Sequence, residues 1–163
     1  MAQAWRVVLE GWMIEARVLS PLAVGDRATF AVELRLEDYD EVTAASQEVY
    51  RGLPIRRLAE IGGRTIVDVG VSAFMVNRPS ASPLTEGSRL SAVTLMVADL
   101  QFHRQRKEEH LSVTQDWRIC KIEEVTAQNA DGWRYVDVSA TVQPDESAAS
   151  HLYILTCEVV PAS

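Results

Sequence analysis

Along the chain, apolar residues fall in short runs of alternating parity, broken at short intervals by Gly, Pro, Asp or Asn. That pattern marks strands and turns; helical periodicity is scarce. In the first run Trp5, Val7, Leu9 and Gly11 share one parity, with Arg6, Val8 and Glu10 on the other. Past Gly11 the apolar residues become consecutive at Trp12-Met13-Ile14, which predicts a bulge or bend within an extended run that reaches Leu19. Ser20 to Asp26 reads as a turn, because Pro21 presets one backbone angle and Gly25 permits a positive one. A second strand is expected from Arg27 to Leu36, with Phe30, Val32 and Leu34 on one face and Thr29, Glu33 and Arg35 mostly on the other. The two runs are expected to form a hairpin-like unit.

Residues 37–63 admit two readings. Thr43 could cap a helix through Ala44 to Glu48, with a second short helix between Pro54 and Gly62. Alternatively Ile55 to Ile61 is a strand that Gly62-Gly63 turns into the run Arg64 to Val76, and this reading is preferred. A loop at Asn77 to Pro83 follows, then strands at Arg89 to Leu100, Trp117 to Thr126, Trp133 to Val142 and His151 to Val160, with Asp131-Gly132 as a hairpin signal.

Ser20-Pro21-Leu22-Ala23-Val24-Gly25-Asp26-Arg27 recurs as Ser82-Pro83-Leu84-Thr85-Glu86-Gly87-Ser88-Arg89, at an offset of 82 − 20 = 62. Without gaps, the same offset matches Val7 to Val69, Leu9 to Val71, Trp12 to Phe74 and Met13 to Met75. Such self-similarity points to one supersecondary unit used twice. The expected fold is therefore mainly β: a duplicated small β-barrel or sandwich with OB-like or SH3-like halves and at most one or two short helices. Residues 1–163 are expected to form one compact domain, with pseudo-repeat halves near 5–63 and 64–126 and a terminal hairpin plus strand over 127–160.

A chain of 163 residues can bury a core without metals or disulfides. Its net charge of −7 repels phosphate backbones and anionic lipid, which weakens a nucleic-acid-binding OB-like reading. Cys120 and Cys157 lie in apolar runs, without the spacing of a zinc site, and are expected to be buried free thiols. Arg6, Glu10, Glu15 and Arg17 interrupt any signal-peptide core, and no uncharged stretch is long enough to span a bilayer, so a cytoplasmic location is expected.

The chain contains no GxSxG, GxxxxGK[ST], GxGxxG or HExxH motif, and neither a catalytic residue, a metal nor a cofactor is expected. Glu123 and Glu124 are adjacent on a strand, so they point to opposite faces and cannot line one site. Trp5, Trp12, Trp117 and Trp133 read as packing rather than as stacking platforms. Two basic neighbourhoods remain. Arg51, Arg56 and Arg57, with Arg64, surround Leu53-Pro54-Ile55; His103, Arg104, Arg106 and Lys107 lie in the charged run ending at His110. Guanidinium forks pair with carboxylates and phosphates, so these are the candidate binding residues, although charge runs are commonly just solvated surface.

Trp12-Met13-Ile14-Glu15 and Pro21-Leu22-Ala23-Val24-Gly25-Asp26 resemble the opening of an uncharacterised actinobacterial family of small proteins, which carries W-x-M-E followed by P-F-x-V-G-D. Arg118 to Gln128 is similar to that family's strand ending in V-T-Q. Ala16 to Ser20 departs from the family's Cys-Cys-Gly, and the resemblance implies no activity. The function expected is a non-catalytic binding or protein-interaction module, partnered by another protein or by itself. The alternative is a small cofactor-independent barrel enzyme of isomerase or cyclase type, with Glu15, Glu123 or His103 at a barrel mouth.

Overall fold

A computed structural model describes residues 3–16, 19–36, 50, 52–61, 64–76, 85–90, 93–98, 114–128, 132–141 and 151–161. The chain is mainly β, with one short helix among the described residues. It divides into two compact units: residues 1–30 with 115–163, and residues 31–114. These limits cut across the halves expected from the sequence.

In the first unit, β1 (Ala4–Glu10) leads through Gly11 into α1 (Trp12–Glu15). The expected bend is thus a single helical turn, closed by the Ala16 N–H on the Trp12 carbonyl at 2.8 Å, with Met13 and Ile14 buried. Three apolar residues in a row fit either conformation, and local hydrogen bonding decides between them. β2 (Arg27–Phe30), β10 (Gln115–Gln128), β11 (Gly132–Val138) and β12 (Leu152–Val159) complete the unit. β1 pairs antiparallel with β12, and β12 with β10. The expected hairpin between the first two runs is replaced: β1 takes β12 as its partner, and β2 takes β10. β10 is long enough for its other edge to carry β2 along Gln115 to Arg118 and β11 along Ile122 to Gln128. The latter pair is the hairpin signalled by Asp131-Gly132. Trp5, Val7, Leu9, Ile119, Ile122, Leu155 and Cys157, on one face of β1, β10 and β12, are all buried.

The second unit contains β3 (Val32–Leu36), β4 (Leu53–Pro54), β5 (Arg57–Ile61), β6 (Arg64–Asp68), β7 (Ser72–Val76), β8 (Arg89–Leu90) and β9 (Val93–Val97). The sheet order is β9-β3-β7-β6-β5, with β4 and β8 forming a separate two-stranded ladder. The strand reading of Ile55 to Ile61 holds: β5 and β6 are antiparallel, with Ile61 opposite Arg64. The single run expected over Arg64 to Val76 is two strands, β6 and β7, reversing through Val69 to Val71. The possible helix at 43–48 lies outside the described residues. Ala31, Ile66, Phe74 and Ala98 pack as one buried cluster.

One local device occurs in each unit. The Asp26 N–H donates to the Ala23 carbonyl at 3.0 Å, and the Ser88 N–H to that of Thr85 at 3.1 Å. The glycine before each donor has positive φ, 96° at Gly25 and 88° at Gly87. Gly25 N–H bonds the Ile119 carbonyl and Ile119 N–H returns to Asp26; Gly87 N–H bonds Ile55 and Ile55 N–H returns to Ser88, all at 2.7–2.9 Å. Arg27 and Ala28 then face Arg118 and Trp117, as Arg89 and Leu90 face Pro54 and Leu53. The repeated octapeptide therefore has matching geometry over its described part. Upstream the ungapped match fails, because Trp12–Glu15 is helical where Ser72–Val76 is a strand.

A Cβ built on Gly25 or Gly87 meets nothing within 4 Å, so substitution is penalised only through the backbone. Gly25→Ala and Gly87→Ala should each lower stability by about 1–2 kcal/mol, since an L-residue at these φ values is strained. Urea titration of both variants checks this; a neutral result at either glycine would remove the positive φ as its reason for being there.

Candidate functional site

Strand alternation separates Glu123 and Glu124, as expected. Glu123 lies opposite Ile154 and Asp137, and Glu124 opposite Tyr153 and Val136. Glu123 is buried rather than solvent-facing because Arg6 reaches across from β1, its Nη2 donating to Oε1 at 2.7 Å. Lys121 Nζ lies 3.9 Å from the same oxygen and 3.6 Å from Asp137 Oδ1. This is a charge-balanced network whose desolvation is offset by its internal pairing.

On the other face of the same strands, the His151 Nδ1 lies 2.7 Å from Glu124 Oε1, and the imidazole stacks on Tyr153 with centroids 6.0 Å apart and planes inclined by 8°. A carboxylate on one ring nitrogen fixes the orientation of the imidazole. Tyr153 itself is fully buried, so it acts as a packing partner.

A third polar cluster lies in the second unit. Glu33 and Arg35, expected on the strand face opposite Val32 and Leu34, are half-buried: both the Arg35 Nε and Nη2 approach Glu33 Oε2, at 3.4 and 3.3 Å. Opposite charges two residues apart on a strand share a face, and that was the available signal. It went unused because parity assigns a residue to a face without saying what covers that face.

Of the candidate binding residues, Arg56 and Arg57 are exposed at the start of β5. Arg51, His103, Arg104, Arg106 and Lys107 lie outside the described residues. Among the described residues β5 has one strand partner, β6, and the Leu58 N–H is instead 3.4 Å from the Glu86 carboxylate, which extends from the turn at Gly87. The cysteines are free, but Cys120 is exposed, correcting the expected burial. Its thiol is pushed up by partial desolvation and by the Glu158 carboxylate, with Arg118 opposing.

No group of three or more potential metal ligands occurs among the described residues, and no described helix is long and apolar enough to cross a membrane. No protein-family model, curated protein or solved structure matches the chain.

Proposed function

We propose that the chain is a non-catalytic protein-interaction module that receives an extended acidic segment of a partner along β5. The observation that carries this is the exposed Arg56-Arg57 pair at the head of a strand whose Leu58 N–H is held only by an exposed carboxylate at 3.4 Å. At that length the bond is weak, and an incoming backbone carbonyl can replace it. Strand addition supplies main-chain hydrogen bonds, and the two guanidinium groups select acidic side chains. The net charge of −7 opposes such a partner at long range, but with a Debye length of about 8 Å at physiological salt the local pair outweighs distant charges.

Because adjacent residues point to opposite faces, the test is fluorescence anisotropy with a labelled extended peptide carrying Glu at every position, against its Gln counterpart. The acidic peptide should bind with an affinity that falls with salt. Arg56→Glu with Arg57→Glu should weaken it at least about tenfold, the equivalent of two lost exposed pairs plus new repulsion. Equal binding by the double variant, or dimerisation that occludes β5, would sink this reading.

A cofactor-independent enzyme is the second reading, favoured by the 2.7 Å contact of Glu124 with His151. The matched turn, returning isoleucine and ladder in the two units support a third part of the proposal, that one ancestral unit was used twice.

A further inference from the structure

We infer that β5 receives its partner segment antiparallel, in the lane that β11 fills in the first unit, with one carboxylate of the segment opposite Ala59 and paired to Arg57. This rests on the proposed strand addition and fixes its direction, register and charge. The first unit supplies the pattern. Trp117 to Val125 of β10 correspond to Leu53 to Ile61 at an offset of 117 − 53 = 64, so Lys121, Ile122 and Glu123 stand where Arg57, Leu58 and Ala59 stand in the second unit. Both stretches begin beside the ladder that follows the matched turn, with β2 on Trp117 and Arg118 and β8 on Leu53 and Pro54. Both then take an antiparallel neighbour, Ile122 facing Leu155 of β12 and Leu58 facing Val67 of β6.

In the first unit the lane beyond the ladder belongs to β11. Ile122 faces Val138, Glu123 faces Asp137 and Val125 faces Tyr135, and the Ser139 carbonyl then accepts from the Val24 N–H at 2.9 Å. Asp137 Oδ1 lies 3.6 Å from Lys121 Nζ, because residues 121 and 123 share a strand face and Asp137 shares it with Glu123. In the second unit the matching lane holds, among the described residues, only the Glu86 carboxylate, 3.4 Å from the Leu58 N–H. Arg57, Ala59, Glu60 and Glu86 are all exposed, so an extended segment can reach it.

The likeness specifies the segment. Running antiparallel, it has its carboxyl-terminal end beside Leu58 and the turn at Gly87, and its amino-terminal end beside Ile61. An apolar residue opposite Leu58 takes the place of Val138, and the carbonyl after it accepts from the Glu86 N–H as that of Ser139 does from Val24, at an offset of 86 − 24 = 62. The preceding residue, opposite Ala59, carries the carboxylate. The short alanine side chain leaves it room to bend to Arg57, as Asp137 bends to Lys121. A carboxylate one position earlier lies opposite Glu60, on the other face, where like charge repels it.

The experiment is fluorescence anisotropy of the full-length chain with a labelled peptide copying residues 134–139, Arg-Tyr-Val-Asp-Val-Ser. Two controls carry Asn in place of Asp, or Asp exchanged with the valine before it. The copied peptide should bind about threefold tighter than either control, the size of one exposed ion pair. Arg57→Gln should abolish that preference without changing the melting temperature. A nitroxide on the peptide's carboxyl terminus should broaden the nitrogen-15 amide signals of Leu58 and Glu86 most, and one on its amino terminus that of Ile61. The reverse order of broadening, no preference for Asp at that position, a preference that survives Arg57→Gln, or no binding by any of these peptides would overturn the inference. In each of those cases, binding of the all-Glu peptide leaves the proposed function standing, and its absence removes both.

Discussion

Trp117→Ala should destabilise the chain by about 3–5 kcal/mol, a large share of the roughly 5–15 kcal/mol that holds a typical domain folded. Trp117 is fully buried and sits on β10 where β2 and β12 both pair with it, opposite Ala28 and Val159. Its ring stacks on Phe30 with centroids 5.3 Å apart and planes inclined by 11°, and its Nε1–H donates to the Phe30 carbonyl at 3.1 Å. Truncation therefore removes apolar burial, an aromatic contact and a buried hydrogen bond in one step. Trp117→Phe separates these effects, retaining most of the area while losing the donor, and should cost about 1–2 kcal/mol. Urea midpoints at 25 °C, with the slope unchanged, measure both. A loss below about 1 kcal/mol for the alanine variant would mean that the Phe30–Trp117 contact does not anchor β2 to β10.

How much of this was legible in the sequence depends on whether local pattern or distant pairing decides. Alternation located the strands around Trp5, Phe30, Thr65 and Trp117, because side-chain parity is a local property. It could not name their partners: Trp5 lies opposite Cys157, a choice made by the whole fold. Gly62-Gly63 and Asp131-Gly132 correctly implied hairpins, since the partner there is the next segment. The octapeptide repeat was visible because turn geometry restricts residue type at Gly25 and Gly87. A second likeness, Leu53 to Ile61 against Trp117 to Val125, was obscured by its offset of 117 − 53 = 64 rather than 62. In the candidate sites, Arg56 and Arg57 stood out by composition. The joining of Glu124 to His151, and of Arg6 to Glu123, required the registers of β1, β10 and β12. Even the parity of Glu33 and Arg35 was readable, but not the burial of their face.

Raising the pH above 9 should destabilise the chain through Cys157, by about 1.4 kcal/mol per pH unit from that group alone. Cys157 lies in β12 between Trp5 and Ile119, is fully buried, and its Sγ–H donates to the Trp5 carbonyl at 3.7 Å. Burial, and after it the neighbouring Cys120, pushes the thiol from 9.0 up to about 12. The folded state thus keeps a proton that the unfolded chain releases near pH 9. The stabilisation is complete below that pH, shrinks as pH rises, and is gone once the folded thiol ionises near 12. Across that window the loss is of order 4 kcal/mol. Cys157→Ala should be less stable near neutrality because of the cavity, but its stability should fall less steeply between pH 9 and 11. Other groups that titrate there do so in both proteins, and they cancel in the difference. Urea midpoints at pH 8, 9, 10 and 11 give the two curves, which should converge; curves that stay parallel would rule the buried thiol out. The thiolate is also the reactive form, so at pH 8 a thiol reagent should modify exposed Cys120 and spare Cys157 until the chain unfolds.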